Sequence, residues 1–127
     1  MADGDLSFTV QGVKTANTVG SYISKTAQGQ FYIVTVQIKN NGSDTKLIDS
    51  SQFQIVDGQG RTFDRSIDGQ SALSIQQGHV DLFLQQVQPS LSYIGDIVFD
   101  LPKDASGFKL VVKGSLFSRG QQIDLGK

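Results

Sequence analysis

Gln30-Phe31-Tyr32-Ile33-Val34-Thr35-Val36-Gln37-Ile38-Lys39-Asn40 is the stretch that decides the fold. Tyr32, Val34, Val36 and Ile38 fall on one side of an extended chain, and Thr35, Gln37 and Lys39 fall on the other. That is the two-residue period of a strand whose β-branched residues face a core. Asn40-Asn41-Gly42-Ser43 follows with residues that tolerate positive φ, so the spacing predicts a chain reversal. Asn41-Gly42-Ser43 also fits the glycosylation acceptor pattern, but the turn accounts for it.

Moving outward, Leu6, Phe8 and Val10 alternate with Ser7, Thr9 and Gln11 until Gly12 and Val13 break the register. Residues 15–29 read as a polar connection holding a short strand-like piece at Tyr22-Ile23. Towards the C-terminus, Phe53 and Ile55 mark a strand, and Asp57-Gly58-Gln59-Gly60 turns it into Arg61-Thr62-Phe63 as a hairpin. Residues 64–78 read as the longest irregular stretch, and long loops of this kind are often functional. Val80, Leu82 and Leu84 suggest a further strand. Pro89 turns the chain into Tyr93, Ile97, Phe99 and Leu101, and Pro102-Lys103-Asp104 stops it. Phe108, Leu110 and Val112 alternate again, and Gln122 to Leu125 is suited to a sheet edge.

Composition agrees with the pattern. All twelve acidic residues are Asp, Gly reaches fourteen, and no Glu is present, so good helix formers are short while turn formers abound. The reading is all-β: an immunoglobulin-like β-sandwich of two antiparallel sheets with seven to nine strands, a closed barrel being the other architecture open to such a pattern. Residues 1–5 are expected to be a disordered start and residues 6–127 a single domain, since 127 residues suit one core.

Charge and cysteine content narrow the function classes. The net charge is −1 and no basic run is present, which argues against nucleic-acid binding. Zero Cys removes disulfides, thiol nucleophiles and cysteine-based metal sites. The longest apolar run, Phe31 to Val34, is far below the roughly 20 residues needed to span a bilayer. The polar Met1 to Asp5 start lacks a signal-peptide core.

Gly29-Gln30-Phe31, Lys39-Asn40-Asn41, Phe53-Gln54-Ile55-Val56-Asp57 and Gly60-Arg61-Thr62-Phe63 occur in a familiar order. Gly95 to Pro102 and Phe108 to Val112 complete it. The pattern, over residues 6–125, resembles a telokin-like, immunoglobulin-fold domain of unknown function found in bacterial lipoproteins and exported proteins. The resemblance implies an extracellular or cell-envelope location with a leader removed ahead of this sequence, although a cytoplasmic protein also fits the polar start. It implies no catalytic residues.

The candidate side chains are few. His79 lies two residues from Asp81, and a nearby Ser would complete a hydrolase triad, but Gly69-Gln70-Ser71-Ala72-Leu73 lacks the closing Gly of a nucleophile elbow. Asp57, Asp64 and Asp68, with Asp49, are the candidate ligands for a calcium ion, yet no calcium-loop spacing is present and Asp in turns usually caps its own backbone. Asp96 reads as a solvent-facing position on the outer side of its strand. Arg61 and Arg65 flank Phe63 and are placed to stack on an aromatic or to form salt bridges. Phe83, Tyr93 and Phe117 fit the inward pattern least well and would mark a contact patch if grouped outside.

These readings converge on a non-enzymatic binding module without cofactor or metal. Its interaction residues are Arg61, Arg65, Phe83 and Tyr93, and its partner is a protein or glycan of the cell envelope. Such a protein would be a monomer or weak homo-oligomer. Self-association by edge pairing of Gln121 to Leu125 is the structural alternative, and a hydrolase centred on His79 is the catalytic one.

Overall fold

A computed structural model describes residues 1–20, 24–77, 85–114 and 119–127. Its strands are β1 (Ala2–Asp3), β2 (Leu6–Val19), β3 (Lys25–Asn40), β4 (Lys46–Leu47), β5 (Phe53–Val56), β6 (Thr62–Phe63), β7 (Gln86–Val87), β8 (Ser92–Leu101), β9 (Lys109–Val112) and β10 (Gln121–Asp124). Among the described residues one α-helix, α1 (Ile67–Gln77), joins them. Two antiparallel four-stranded sheets, ordered β1-β2-β3-β8 and β10-β9-β5-β6, face each other, and β4 pairs separately with β7. Ten strands among the described residues exceed the expected seven to nine, because two-residue pieces such as β1, β4, β6 and β7 are too short to show a period.

The inner faces meet as the alternation predicts. Val34, Val36 and Ile38 of β3 are buried with Phe8, Ile97 and Phe99 from the first sheet and Phe53, Ile55, Leu110 and Val112 from the second. Edge-to-face ring pairs bind the sheets, Phe8 on Phe53 at 5.6 Å and Tyr32 on Phe108 at 5.1 Å between centroids. Tyr93 is half-buried and packs against this core. It belongs to the inward-facing row of β8 with Ile97, Phe99 and Leu101, which corrects its assignment to an external patch.

The 64–78 stretch is not irregular: it contains α1. Ser66 starts the helix, its Oγ accepting from the Gly69 N–H at 3.1 Å and its carbonyl from the Gln70 N–H at 2.9 Å. Ala72 and Leu73 pack with Phe31, Val98 and Val19 in a second cluster on the outer face of the first sheet. The sheet is therefore covered on both faces here, which is why Phe31 and Ile33 are apolar although they alternate with core residues. Gly69 sits so close to the sheet that a Cβ would stand 2.8 Å from Val98 Cγ1.

Two further expectations change. Residues 1–5 are not a disordered start: Ala2 and Asp3 pair with Ser7 and Leu6, and the Met1 amino group donates to the Phe8 carbonyl at 2.7 Å. These are backbone bonds, so no side-chain pattern announces them. Most of the 15–29 connection is strand, because β2 and β3 continue their ladder as far as Val19 and Lys25. Most of its residues are exposed, which made that ladder polar apart from Ala16, Val19 and Ala27 in the cluster beneath α1. The Tyr22-Ile23 piece and the strand expected at Val80 to Leu84 lie outside the described residues.

Both ends of the first sheet need an account. β8 is one edge, and three outward backbone groups in its middle are taken up by the helix segment: the Gln70 amide donates to the Asp96 carbonyl at 2.7 Å and accepts from the Val98 N–H at 2.9 Å, while the Ser66 N–H donates to the Val98 carbonyl at 2.7 Å. A side-chain amide thus does what a neighbouring strand would do. At the other end, β1 covers only the start of β2.

Candidate functional site

A groove of about 560 Å³ opens at one end of the sandwich. Gln28 and Gly29 from β3, Asp100 and Leu101 from β8, the following Pro102, Lys103 and Asp104, and Phe63 from β6 line it. The back wall is tied together by hydrogen bonds. Asp100 accepts from the N–H groups of Gln28 at 2.8 Å and Gly29 at 2.9 Å, pinning the entry of β3 to the exit of β8. Gly29 is required there, since a Cβ would lie 2.1 Å from the Leu101 carbonyl oxygen.

The Phe63 side is built by the hairpin turn. Asp57 is 5% exposed and places one carboxylate oxygen 2.9 Å from both the Gln59 and Arg61 N–H groups; its other oxygen lies 2.7 Å from Arg61 Nε. Burial alone would raise the Asp57 pKa, but the donors from Arg61 and Gln59 and the Arg61 charge outweigh it and hold the carboxyl below the ordinary value. The guanidinium so fixed lies 5.9 Å from the centroid of Phe63. Both arrangements expected of Arg61, ion pairing and ring stacking, occur together.

The other candidates are placed as follows. Asp64 accepts from Gln54 Nε2 at 2.8 Å, and Asp68 lies in the first turn of α1. With Asp57 committed to its turn and Asp49 capping Ser50–Gln52, the four aspartates each have a local role. Among the described residues no three His, Cys, Asp or Glu side chains group as a metal site would require. Arg65 is half-buried. Asp96 stands on the outer face, yet it is not simply solvated: it accepts from Thr35 Oγ1 at 2.5 Å and from Gln77 Nε2 at 2.9 Å. His79, Phe83 and Phe117 lie outside the described residues.

Sequence reasoning missed Gln28, Lys103 and Asp104, which reach the groove from separate segments. It also missed Asn40, a buried hub rather than an exposed turn residue. Its amide donates to the Asp44 and Val87 carbonyls at 2.7 and 2.9 Å and accepts from the Gly42 N–H at 2.9 Å. Four aligned strand-forming residues preceding it were the only signal, and they point to the strand rather than to the cap.

The match to known families falls on almost the whole chain: residues 1–123 fit the model of a domain of unknown function, DUF4352. The chain belongs to the DUF4352 family. No curated protein matches this DUF4352 chain in sequence. Among solved structures it is similar to a conserved hypothetical protein from Bacillus anthracis, at 14% identity and a TM-score of 0.73, over 98% of this chain and 89% of that one. The secreted protein MPT63 of Mycobacterium tuberculosis is similar at 14% identity and a TM-score of 0.62, over 93% and 79% of the two chains. A putative lipoprotein, ycdA, of Bacillus subtilis gives 16% identity and a TM-score of 0.70, over all of this chain but 38% of that one. At these identities the likeness establishes the β-sandwich fold. Among the described residues no helix is long and apolar enough to cross a membrane.

Proposed function

We propose that this DUF4352 domain is a binding module of the bacterial cell envelope, of the telokin-like immunoglobulin type, which engages a protein or glycan through the Phe63 groove without catalysing a reaction. One observation carries the reading: a buried carboxylate, Asp57, is spent on holding the Arg61 guanidinium against Phe63 beside an open groove. A ring backed by a fixed cation, with the amide of Gln28 and the charges of Lys103 and Asp104 around it, offers stacking and hydrogen bonding together, the pairing that recognises sugar faces and peptide side chains. The envelope location rests on the secreted and lipoprotein neighbours and is part of the proposal.

The test is an amide chemical-shift titration of labelled protein with soluble cell-wall glycan fragments and, separately, with envelope protein extract. Shifts are expected around Gln28, Phe63 and Lys103, and they should vanish in Phe63→Ala while its melting curve stays cooperative. Shifts confined to other surfaces, or a Phe63→Ala variant that binds as well as the parent, would remove the groove from the account.

A further inference from the structure

The side of the sandwich opposite the helix-covered β8 edge carries a second groove, of about 520 Å³, between β2 and β10. Its walls are two strand edges. On β3, the N–H of Asn41 reaches back to the Asp5 carbonyl, and Asn40 exchanges bonds with Leu91 and Ser90 on the other side. Strict alternation along β3 then makes Lys39, Gln37, Thr35 and Ile33 the residues that bond β2, opposite Ser7, Thr9, Gly12 and Lys14. Phe8 exchanges its bonds with Met1 instead. The register shift between Val10 and Gly12 resets the phase, so the backbone groups of Val10, Val13 and Thr15 point away from the sheet. The same reasoning applies to β10: the Leu125 N–H bonds the Phe108 carbonyl and Ile123 pairs with Leu110, which turns the backbone of Gln122 and Asp124 outward.

Among the described residues no strand pairs with either of these edges beyond Phe8. The groove floor is apolar, with Val10, Val13 and Ile123 half-buried against the main core. Gly12 leaves open space where a Cβ would stand. Between Thr9 and Val19 the only charge is Lys14, and the β10 wall brings Asp124 and Lys127, one charge of each sign, so the groove favours no charged ligand of either sign. A row of outward N–H and C=O groups has one complementary partner, another extended backbone.

We infer that this groove is a second binding site, for an extended, uncharged peptide segment of another protein that lies as a strand between the β2 and β10 edges and turns alternate small or β-branched apolar side chains onto Val10, Val13 and Ile123. A flexible peptide can follow an edge bent by a bulge, whereas a rigid second copy of β2 would meet the same bulge and bring Lys14 towards its own counterpart. The site is separate from the Phe63 groove, and the inference stands without that groove's assignment.

The probe is a short, end-blocked peptide of alternating Thr and Val added to the full chain, with amide hydrogen exchange read residue by residue. Exchange at Val13, Thr15 and Gln122 is expected to slow by about tenfold or more at saturation. Thr15→Pro and Gln122→Pro each delete one outward donor without touching a bond to β3 or β9, and both are expected to weaken peptide binding while thermal melting stays as in the parent. Phe63→Ala should take the peptide normally, which separates this site from the other groove. The inference is overturned if saturating peptide leaves these amides unchanged, if both proline variants bind as the parent does, or if the same amides become protected without peptide as the mass doubles with concentration, which would make the occupant a second copy.

Discussion

The two sides of the sandwich manage the same problem in opposite ways. Along β8, the outward Asp96 carbonyl and both outward groups of Val98 have partners in Gln70 and Ser66, and α1 covers the face beside them. Along β2, no outer partner is found beyond Phe8 among the described residues, and the ladder continues with its outer groups turned to a groove. The difference teaches that the middle of an edge strand can be blocked by one side-chain amide in the right place, and that blocking one edge leaves the other as the natural place for a partner strand.

The comparison breaks most severely at Gln70. Gln70→Leu keeps the volume but leaves the Val98 N–H and the Asp96 carbonyl without their partner in a site where Gln70 itself is 2% exposed. Two stranded groups of this kind cost about 2–5 kcal/mol, a large share of the stability of a small domain, and the loss should appear as a lower urea midpoint. Gly69→Ala attacks the same seat through volume, pressing a methyl onto Val98 and Phe31, and should cost about 1–3 kcal/mol, read as a fall in Tm.

Asp57 tests the β5–β6 hairpin, away from both edges, by charge. Its folded pKa lies below the ordinary value, so its carboxylate contributes stability that is complete above the unfolded value and is lost as pH falls from about 4 through the folded value. Denaturation followed from neutral pH to pH 2 should show that acid limb in the parent. Asp57→Asn should be less stable at neutral pH and should lack its share of the decline. The smallest effect belongs to the open side: Thr15→Pro should change stability by no more than about 0.5 kcal/mol in chemical denaturation, because the exposed residue loses no ladder bond.

How much of this was legible depends on where a residue's partner stands. The row Val34, Val36 and Ile38 announced the main core because burial on one face imposes its own period. The break at Gly12 was legible for the same reason, and it is the bulge that re-aims β2. The helix was not legible: α1 buries only Ala72 and Leu73 among its apolar residues while Ile67 and Ile75 are exposed, so no wide stripe repeats every turn. Its signature lay elsewhere, in the doubled apolar character of Phe31 to Val34 and Ile97 to Phe99, strands covered on both faces. Arg61 and Phe63 could be paired from their spacing, whereas Gln28, Lys103 and Asp104 are joined to them only by the fold. The Gln70 closure had no sequence signal, since one Gln in a Gln-rich chain looks like any other.

Native-state amide hydrogen exchange at Val98 and Thr15, in the free protein at low concentration, tests the central claim most directly. Both residues lie in edge strands, yet the Val98 N–H is held by the buried Gln70 amide and the Thr15 N–H points away from the sheet at the open edge. Val98 should exchange only through large-scale opening, and Thr15 at close to the rate of an unprotected amide. Equal protection at the two positions, or a protected Thr15 beside an unprotected Val98, would contradict the account.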